Sequence, residues 1–328
     1  MKNYYLNGKN LKTAYGITAL QAEGSNLAIS GAWDFPVRTG KCFHDWGDDD
    51  GIEPYVSPEE IRFAGRDIVF VGMVSAANEK EALVSCYKLY DDIGGFNSLV
   101  PFEAEGLGQW MVLIKSEIKA EYVGSGHCKI TITLREPVCD LSGAMPTNKP
   151  EYNAVADHLN NPIYINNQSL QIGSINFDGY GIDGIMFRHL GLIILAFTGH
   201  FGRPAPKDGE YTSYQNEGFK ITRHGAREIT MKALIVQPDY QSFKTALKGF
   251  YKLFSKEGLR YITKENDFLR DFFVKDGFAV SNVNIEAKRV VATLEMKLTE
   301  AKAWQNWSIL TDANNNGIVT ELGNIIIT

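Results

Sequence analysis

The chain of 328 residues is poor in the features that most quickly assign a function. It has no basic excess: 33 Lys and Arg stand against 39 Asp and Glu, a net charge of −6. That argues against a nucleic-acid binder working through phosphate neutralisation. Cysteine is scarce, and Cys42, Cys86, Cys128 and Cys139 show no CxxC spacing. Three of the four lie in apolar strand or helix patterns, so buried, reduced thiols are expected rather than a disulfide framework, consistent with synthesis in a cytoplasm. No apolar run is long enough to cross a bilayer; the longest, Leu190 to Thr198, is flanked by Arg188, His189 and His200. The opening Met1-Lys2-Asn3-Tyr4-Tyr5-Leu6-Asn7 lacks the apolar centre of a signal peptide. An apolar content of 44% and a charged content of 22% read as soluble and globular.

What the chain does have is repetition. Tyr5-Leu6-Asn7-Gly8-Lys9-Asn10-Leu11 returns as Tyr164-Ile165-Asn166-Asn167-Gln168-Ser169-Leu170. Arg66-Asp67-Ile68 before an alternating apolar run returns as Arg227-Glu228-Ile229 before another. Tyr87-Lys88-Leu89-Tyr90 returns as Tyr251-Lys252-Leu253-Phe254. Three matches in the same order, with few residues inserted between them, argue for a tandem duplication. Catalytic sites are usually single, whereas a doubled domain suits a symmetric assembly.

Each half has its own pattern. Ile68, Phe70, Gly72 and Val74 alternate with Val69, Val71 and Met73, as expected of a strand buried on both faces. Asn78 is a helix N-cap with Glu81 three residues on, and the spacing predicts a helix over Glu79 to Asp92, ended by Gly94 and Gly95. Strands are predicted for Trp110 to Ile114, Ile118 to Val123 and Lys129 to Leu134. In the second half Ile229, Met231, Ala233 and Ile235 form one strand face, and Pro238-Asp239 opens a helix over Tyr240 to Lys256, with Gly258 as its cap. Further strands run through Phe278 to Glu286 and Val290 to Leu298. The fold class is α+β, mainly β: two tandem β-sandwich domains, each with one packed helix and its own core. The first domain takes residues 1–137, a linker 138–162, the second domain 163–300 and a C-terminal β-hairpin extension 301–328. The extension turns at Asn314-Asn315-Asn316-Gly317, and its apolar Ile325-Ile326-Ile327 needs a partner surface.

Candidate chemistry is thin. Gly179, Gly181 and Gly184 fit GxGxxG, but strand-like residues follow where a dinucleotide fold needs a helix, so a glycine-rich loop is expected. Asp312, Asn314 and Asn316 imitate a calcium loop whose closing position is Gly323 rather than Glu. Cys42, His44 and the acidic Asp45 to Gly51 form the richest polar cluster. No second ligand pair stands at zinc spacing and no orienting group serves a Cys–His nucleophile, which leaves an acidic loop anchored by Trp46, with weak cation binding at Asp48 to Asp50 the residual alternative. Lys244, Lys248, Lys252 and Lys256 make a helical stripe, read as solvated or facing an acidic neighbouring subunit. His127, His158, His189 and His224 are scattered. No catalytic, cofactor-binding or metal residue is assigned, and no enzyme activity is expected.

Several segments together resemble the distal tail proteins (Dit-like, siphovirus-type) of long-tailed phages and prophages, particularly those of Bacteroidetes phages. They are Tyr5-Leu6-Asn7-Gly8 through Tyr15-Gly16-Ile17, then His44-Asp45-Trp46-Gly47-Asp48-Asp49-Asp50-Gly51 ahead of Arg66-Asp67-Ile68, and the elements up to about Arg135. The terminal Ile318-Val319-Thr320-Glu321-Leu322-Gly323-Asn324 is similar to short hairpins of virion proteins. The resemblance implies a tail-tube-like fold, a homo-oligomeric ring around the DNA channel, and partners in the tail tube and tail-tip or hub proteins. Phage DNA would pass only as cargo, the protein would sit in the virion, and no membrane insertion is implied. The repeat departs from that family, whose second domain often differs from the first. A trimeric hub, whose two domains per chain give six quasi-equivalent positions, therefore stays open, as does a carbohydrate-binding β-sandwich module.

Overall fold

The computed structural model describes residues 2–150, 153–160, 162–165, 168–169, 179–213, 216–264 and 267–302. The terminal hairpin and the Asp312 loop lie outside these residues. Among the described residues strands far outnumber helices, so the fold is α+β and mainly β.

The first half opens with β1 (Tyr4–Leu6) and β2 (Lys9–Asn10), joined by Asn7 and Gly8, both at positive φ (49° and 75°). Positive φ at both central residues is what a two-residue hairpin turn demands. The Asn10 side chain accepts from the N–H groups of Lys12 and Thr13 to start α1 (Leu11–Tyr15), and left-handed Gly16 ends it. After β3 (Ile17–Ala19) a long segment carries only β4 (Ile29–Ser30), β5 (Phe43–His44) and β6 (Glu53–Pro54). Then come β7 (Arg66–Ser75), α2 (Glu79–Gly94), β8 (Val100–Ala104), β9 (Gly108–Ile114), β10 (Lys119–Gly124) and β11 (His127–Glu136).

The strand order is β2-β1-β8-β9-β11-β7-β3, with β10 added to β11 and β4 to β7. The rings of Tyr4 in β1 and Phe70 in β7 lie 5.2 Å apart although four steps of the sheet separate their strands, so the sheet bends over onto itself. Along β7 every second residue from Arg66 to Val74 is buried and most of those between are half-buried. The expectation of burial on both faces is thus corrected: α2 and the bent sheet fully cover one face only. Ala82, Cys86 and Leu89 are the buried residues of α2.

The second half begins with α3 (Ala154–Asn160), then β12 (Tyr164–Ile165) and β13 (Gln168–Ser169). Next are β14 (Tyr180–Ile182), β15 (Ile185–Met186), a 3-10 turn over Phe187–Leu190, β16 (Leu192–Thr198) and the hairpin β17 (Pro206–Ser213) with β18 (Asn216–His224). The chain continues with β19 (Arg227–Gln237), α4 (Tyr240–Ser255), β20 (Arg260–Lys264), β21 (Asp267–Phe272), β22 (Phe278–Ile285) and β23 (Val290–Glu300). Two four-stranded sheets result, β15-β14-β20-β21 and β16-β19-β23-β22.

The pairing orders of the halves correspond except at one step: β9 pairs with β11, whereas among the described residues only the isolated bridge Phe273–Thr299 links the two sheets of the second half. Leu6 of β1 faces Phe102 of β8, and Ile182 of β14 faces Ile262 of β20. Asp183 and Gly184 adopt φ of 52° and 80°, as Asn7 and Gly8 do, and Gly191 ends the 3-10 turn in the left-handed region as Gly16 ends α1. β7 runs antiparallel to β11, and β19 to β23, over their lengths. This corrects the register read from sequence. Among the described residues the hairpin at Tyr164 pairs within itself, and Tyr180 to Met186 takes the place of Tyr4 to Asn10. The shared requirement is a turn dipeptide with positive φ, not the letters Tyr-x-Asn. The short α1 and α3 also correct the expectation of one helix per half, and α4 is capped at extended Lys256, two residues before Gly258.

The apolar core is continuous through both halves, so separate cores, as expected from length, are not what forms. The reason lies in residues 24–38 of the first half, which lie along the edge of β22 and put Trp33 and Phe35 among side chains of α4.

Candidate functional site

The most elaborate polar arrangement is this junction. Arg66 at the start of β7 is buried and binds buried Glu136 at the end of β11 at 2.5 Å. The same guanidinium donates to the Asp34 carbonyl at 3.1 Å and to the Tyr251 hydroxyl of α4 at 3.2 Å. Tyr251 in turn donates to the Trp33 carbonyl at 2.5 Å, and Tyr240 to the Leu107 carbonyl at 3.0 Å. Burial pushes the Tyr240 hydroxyl up to about 12 and Tyr251 higher still, so both remain neutral donors.

Along β22 the contact resembles an added strand. Phe35 and Phe278 exchange backbone bonds of 2.9 and 3.2 Å, and Arg38 N–H donates to the Lys275 carbonyl at 2.8 Å. Ser25 donates to the Val283 carbonyl at 2.5 Å, and Asn26 bonds the backbone of Ile285 in both directions. The Asp34 carboxylate accepts from Val280 N–H at 2.7 Å, while burial pushes its own value up. A cavity of about 190 Å³ sits beside these residues, lined by Trp33, Trp110, Glu136, Asp140, Tyr240 and Lys244. Both tryptophans are buried, so it offers no exposed aromatic platform of the kind a carbohydrate-binding module uses.

The sequence candidates fall elsewhere. Gly181 and Gly184 belong to the β14–β15 hairpin; a Cβ on Gly181 would come within 2.1 Å of the Ile185 carbonyl oxygen, which explains that glycine without a phosphate. Cys42 lies against the carbonyls of Thr39 and Gly40, and burial pushes its thiol up, away from thiolate character. His44 packs edge-on against Trp46 at 3.9 Å, and Trp46 donates to Glu53 at 2.9 Å.

The acidic loop clamps the base of the β17–β18 hairpin. Asp45 pairs with the Lys207 ammonium, which also donates to the carbonyls of Trp46, Asp49 and Gly51. Arg223 donates to the Asp48 carbonyl at 2.7 Å, and Asp50 accepts from His224 N–H at 2.6 Å, the bond that holds its carboxyl below the usual range. The cation these oxygens surround is thus the chain's own lysine. Among the described residues no group of three or more His, Cys, Asp and Glu is placed to hold a metal ion.

In the lysine stripe, Lys248 binds Asp140 of the linker at 2.8 Å, a bond that holds the Asp140 carboxyl down to about 2. The acidic neighbour of that one lysine is therefore in the same chain. Sequence reasoning missed Asp34, Phe35 and the rest of residues 24–38. They have no sustained strand or helix period because the segment bonds β22 and α4 at scattered positions and the β7 backbone only through residues 28–30; the cluster Trp33-Asp34-Phe35-Pro36 is the available signal.

No known family profile matches the chain, and no curated protein matches it. Among solved structures, it is similar to the Dit protein of phage SPP1, described as a paradigm of the hub adsorption apparatus in phages infecting Gram-positive bacteria. The identity is 7%, the alignment covers 92% of this chain and 98% of that one, and the TM-score is 0.33. A likeness of that size leaves fold and function to be argued from this chain's own residues. Among the described residues, no helix is long and apolar enough to cross a membrane.

Proposed function

We propose that the chain is a non-catalytic structural protein of a phage tail tip or baseplate, a homo-oligomeric ring joining the tail tube to the distal tip machinery. The observation that carries this reading is the repeated pairing order: hairpin, short helical turn, long strand, capped helix and two further hairpins, in both halves. A chain built of one unit used twice suits an assembly of equivalent positions. The N-terminal phrases around Tyr5–Gly8, Tyr15–Ile17 and His44–Gly51 supply the resemblance to distal tail proteins. Residues 1–137 and 163–300 are the two tail-tube-like units, 138–162 the linker and 301–328 the terminal extension. The ring holds six chains, or three with pseudo-six-fold symmetry as in a hub; the doubled unit suits three, while the N-terminal phrases favour the distal tail reading. Its partners are the tube and tip proteins, with DNA as passing cargo, and its place is the virion after synthesis in the host cytoplasm.

Negative-stain images of the purified chain, alone and with tail components, test this. A ring with a central hole is expected. A chain that stays monomeric at high concentration and is absent from purified tails would overturn the proposal.

A further inference from the structure

We infer that the contact between the two halves of one chain is repeated between chains: Phe201 and residues 199–205 of one copy dock on α2 and the free edge of β10 in a second copy. The inference rests on the ring reading above and names the surfaces that would close it.

Equivalent positions in the halves can be matched through conserved-in-place bonds rather than letters. Asn78 and Asp239 cap α2 and α4, accepting from Glu81 N–H and Ser242 N–H, and both helices span 16 residues. Counting from the caps, Leu83, Tyr87, Tyr90 and Ile93 stand where Lys244, Lys248, Tyr251 and Phe254 stand. In α4 that face is covered by Trp33 and Phe35 of the first half and by Asp140 of the linker. In α2 Tyr90 and Ile93 pack against the chain's own core, but the first two turns are open: Leu83 is 52% exposed and Tyr87 57%. The open face is also the more apolar one, with leucine and tyrosine at the places of two lysines.

The strand beside each helix repeats the contrast. β22 is paired with β23 on one side and with residues 24–38 on the other. β10 pairs with β11 on one side, no other described strand lies on its second edge, and Lys119 to Val123 are all exposed. An open edge next to an apolar helix face is a template for an added strand.

The second half carries the counterpart of the segment that does this covering. Arg66 holds the Asp34 carbonyl at 3.1 Å, and Arg227, the matching arginine of β19, holds the His200 carbonyl at 3.0 Å. Phe201 therefore stands in the place of Phe35. Phe35 is 2% exposed, stacked on Tyr251 and Phe278 with centroids 5.7 and 5.1 Å away. Phe201 is 87% exposed. A lone exposed phenylalanine is unremarkable on a surface. This one occupies the anchor position of an interface whose receiving face lies open on the other half. The two patches differ, so the contact is heterologous, and repeated around an axis it closes a ring.

The test uses the full chain with a photo-crosslinking phenylalanine analogue at position 201. Peptide mapping of the covalent dimer is expected to join residue 201 to residues 79–94 or 119–124 of a second copy, in solution or in tail particles. Phe201→Glu and Tyr87→Glu should each weaken self-association on the order of tenfold or more by sedimentation, with unchanged thermal unfolding of the separated chains. Assembly with crosslinks mapping elsewhere, or undiminished in Phe201→Glu, overturns this interface and leaves the ring standing. No self-association and no adduct in tails overturns both.

Discussion

α2 and α4 are alike in length, in capping and in their place along the chain, and differ in their surroundings. Each has 16 residues, a side-chain cap from Asn78 or Asp239, and a position after the long strand of its half. Yet α2 buries three residues, Ala82, Cys86 and Leu89, while α4 buries seven, four of them aromatic. The difference is not one of propensity or capping. It follows from what lies on the outer face: residues 24–38 and the linker cover α4, whereas Leu83, Val84 and Tyr87 of α2 stay exposed. Burial on a repeated element thus reports on neighbours, and an element that is short of burial marks where a neighbour is due.

The comparison can be broken most severely at its anchors. Phe35→Ala should destabilise the chain by about 3–5 kcal/mol, as large aromatic truncations in cores do, whereas Phe201→Ala should stay within about 0.5 kcal/mol in the separated chain. Denaturant unfolding of both variants checks this, and equal losses would remove the distinction between anchor and free counterpart. Glu136→Ala, which strands buried Arg66, should cost about 3–5 kcal/mol and loosen both halves together, because Arg66 also holds Asp34 and Tyr251. Hydrogen exchange would show it; loss of protection confined to residues 66–136 would contradict a shared core.

Gly181→Ala sharpens the hairpin match. The added methyl meets the Ile185 carbonyl, so a loss of about 1–3 kcal/mol is expected with no change in nucleotide binding. Micromolar nucleotide affinity abolished by the substitution would restore the phosphate-loop interpretation. The smallest effect belongs to Lys248→Ala. Because Asp140 is held down to about 2, its pairing stabilises the fold above the ordinary carboxylate value near 3.9 and loses that contribution as pH falls through about 2. Both side chains are substantially exposed, so the difference from the parent at pH 7 should be below about 1 kcal/mol and should shrink toward zero near pH 2. A difference that grows on acidification would reverse the sign of this pairing.

Much of the framework was legible in the sequence, and for physical reasons. β7, β10, β11, β19, β22 and β23 show alternation or apolar runs, and both long helices carry caps and periodic apolar stripes. β8 is not legible, because Pro101 interrupts a strand of five residues. β20 and β21 are short and carry charge at their ends, Arg260 and Lys264 among them. The Arg66 and Arg227 phrases were seen as repeats, but their work of binding Glu136 and Glu300 at the far ends of partner strands is a matter of register. Residues 24–38 were illegible because a segment that completes another half's sheet edge obeys that half's spacing, not its own.

Joining the two units in one polypeptide has a kinetic consequence for Phe35 and Phe201. The Phe35 contact forms within a chain, at an effective concentration set by the short connection through residues 138–162, which for linked modules reaches the millimolar range. The Phe201 contact has no such tether and depends on how many copies are present. Identical geometry at the two places would therefore fill in sequence, the tethered one on folding and the other only when copies are gathered. A doubled unit of this kind separates folding from assembly in time without any switch beyond the peptide bond that links its halves.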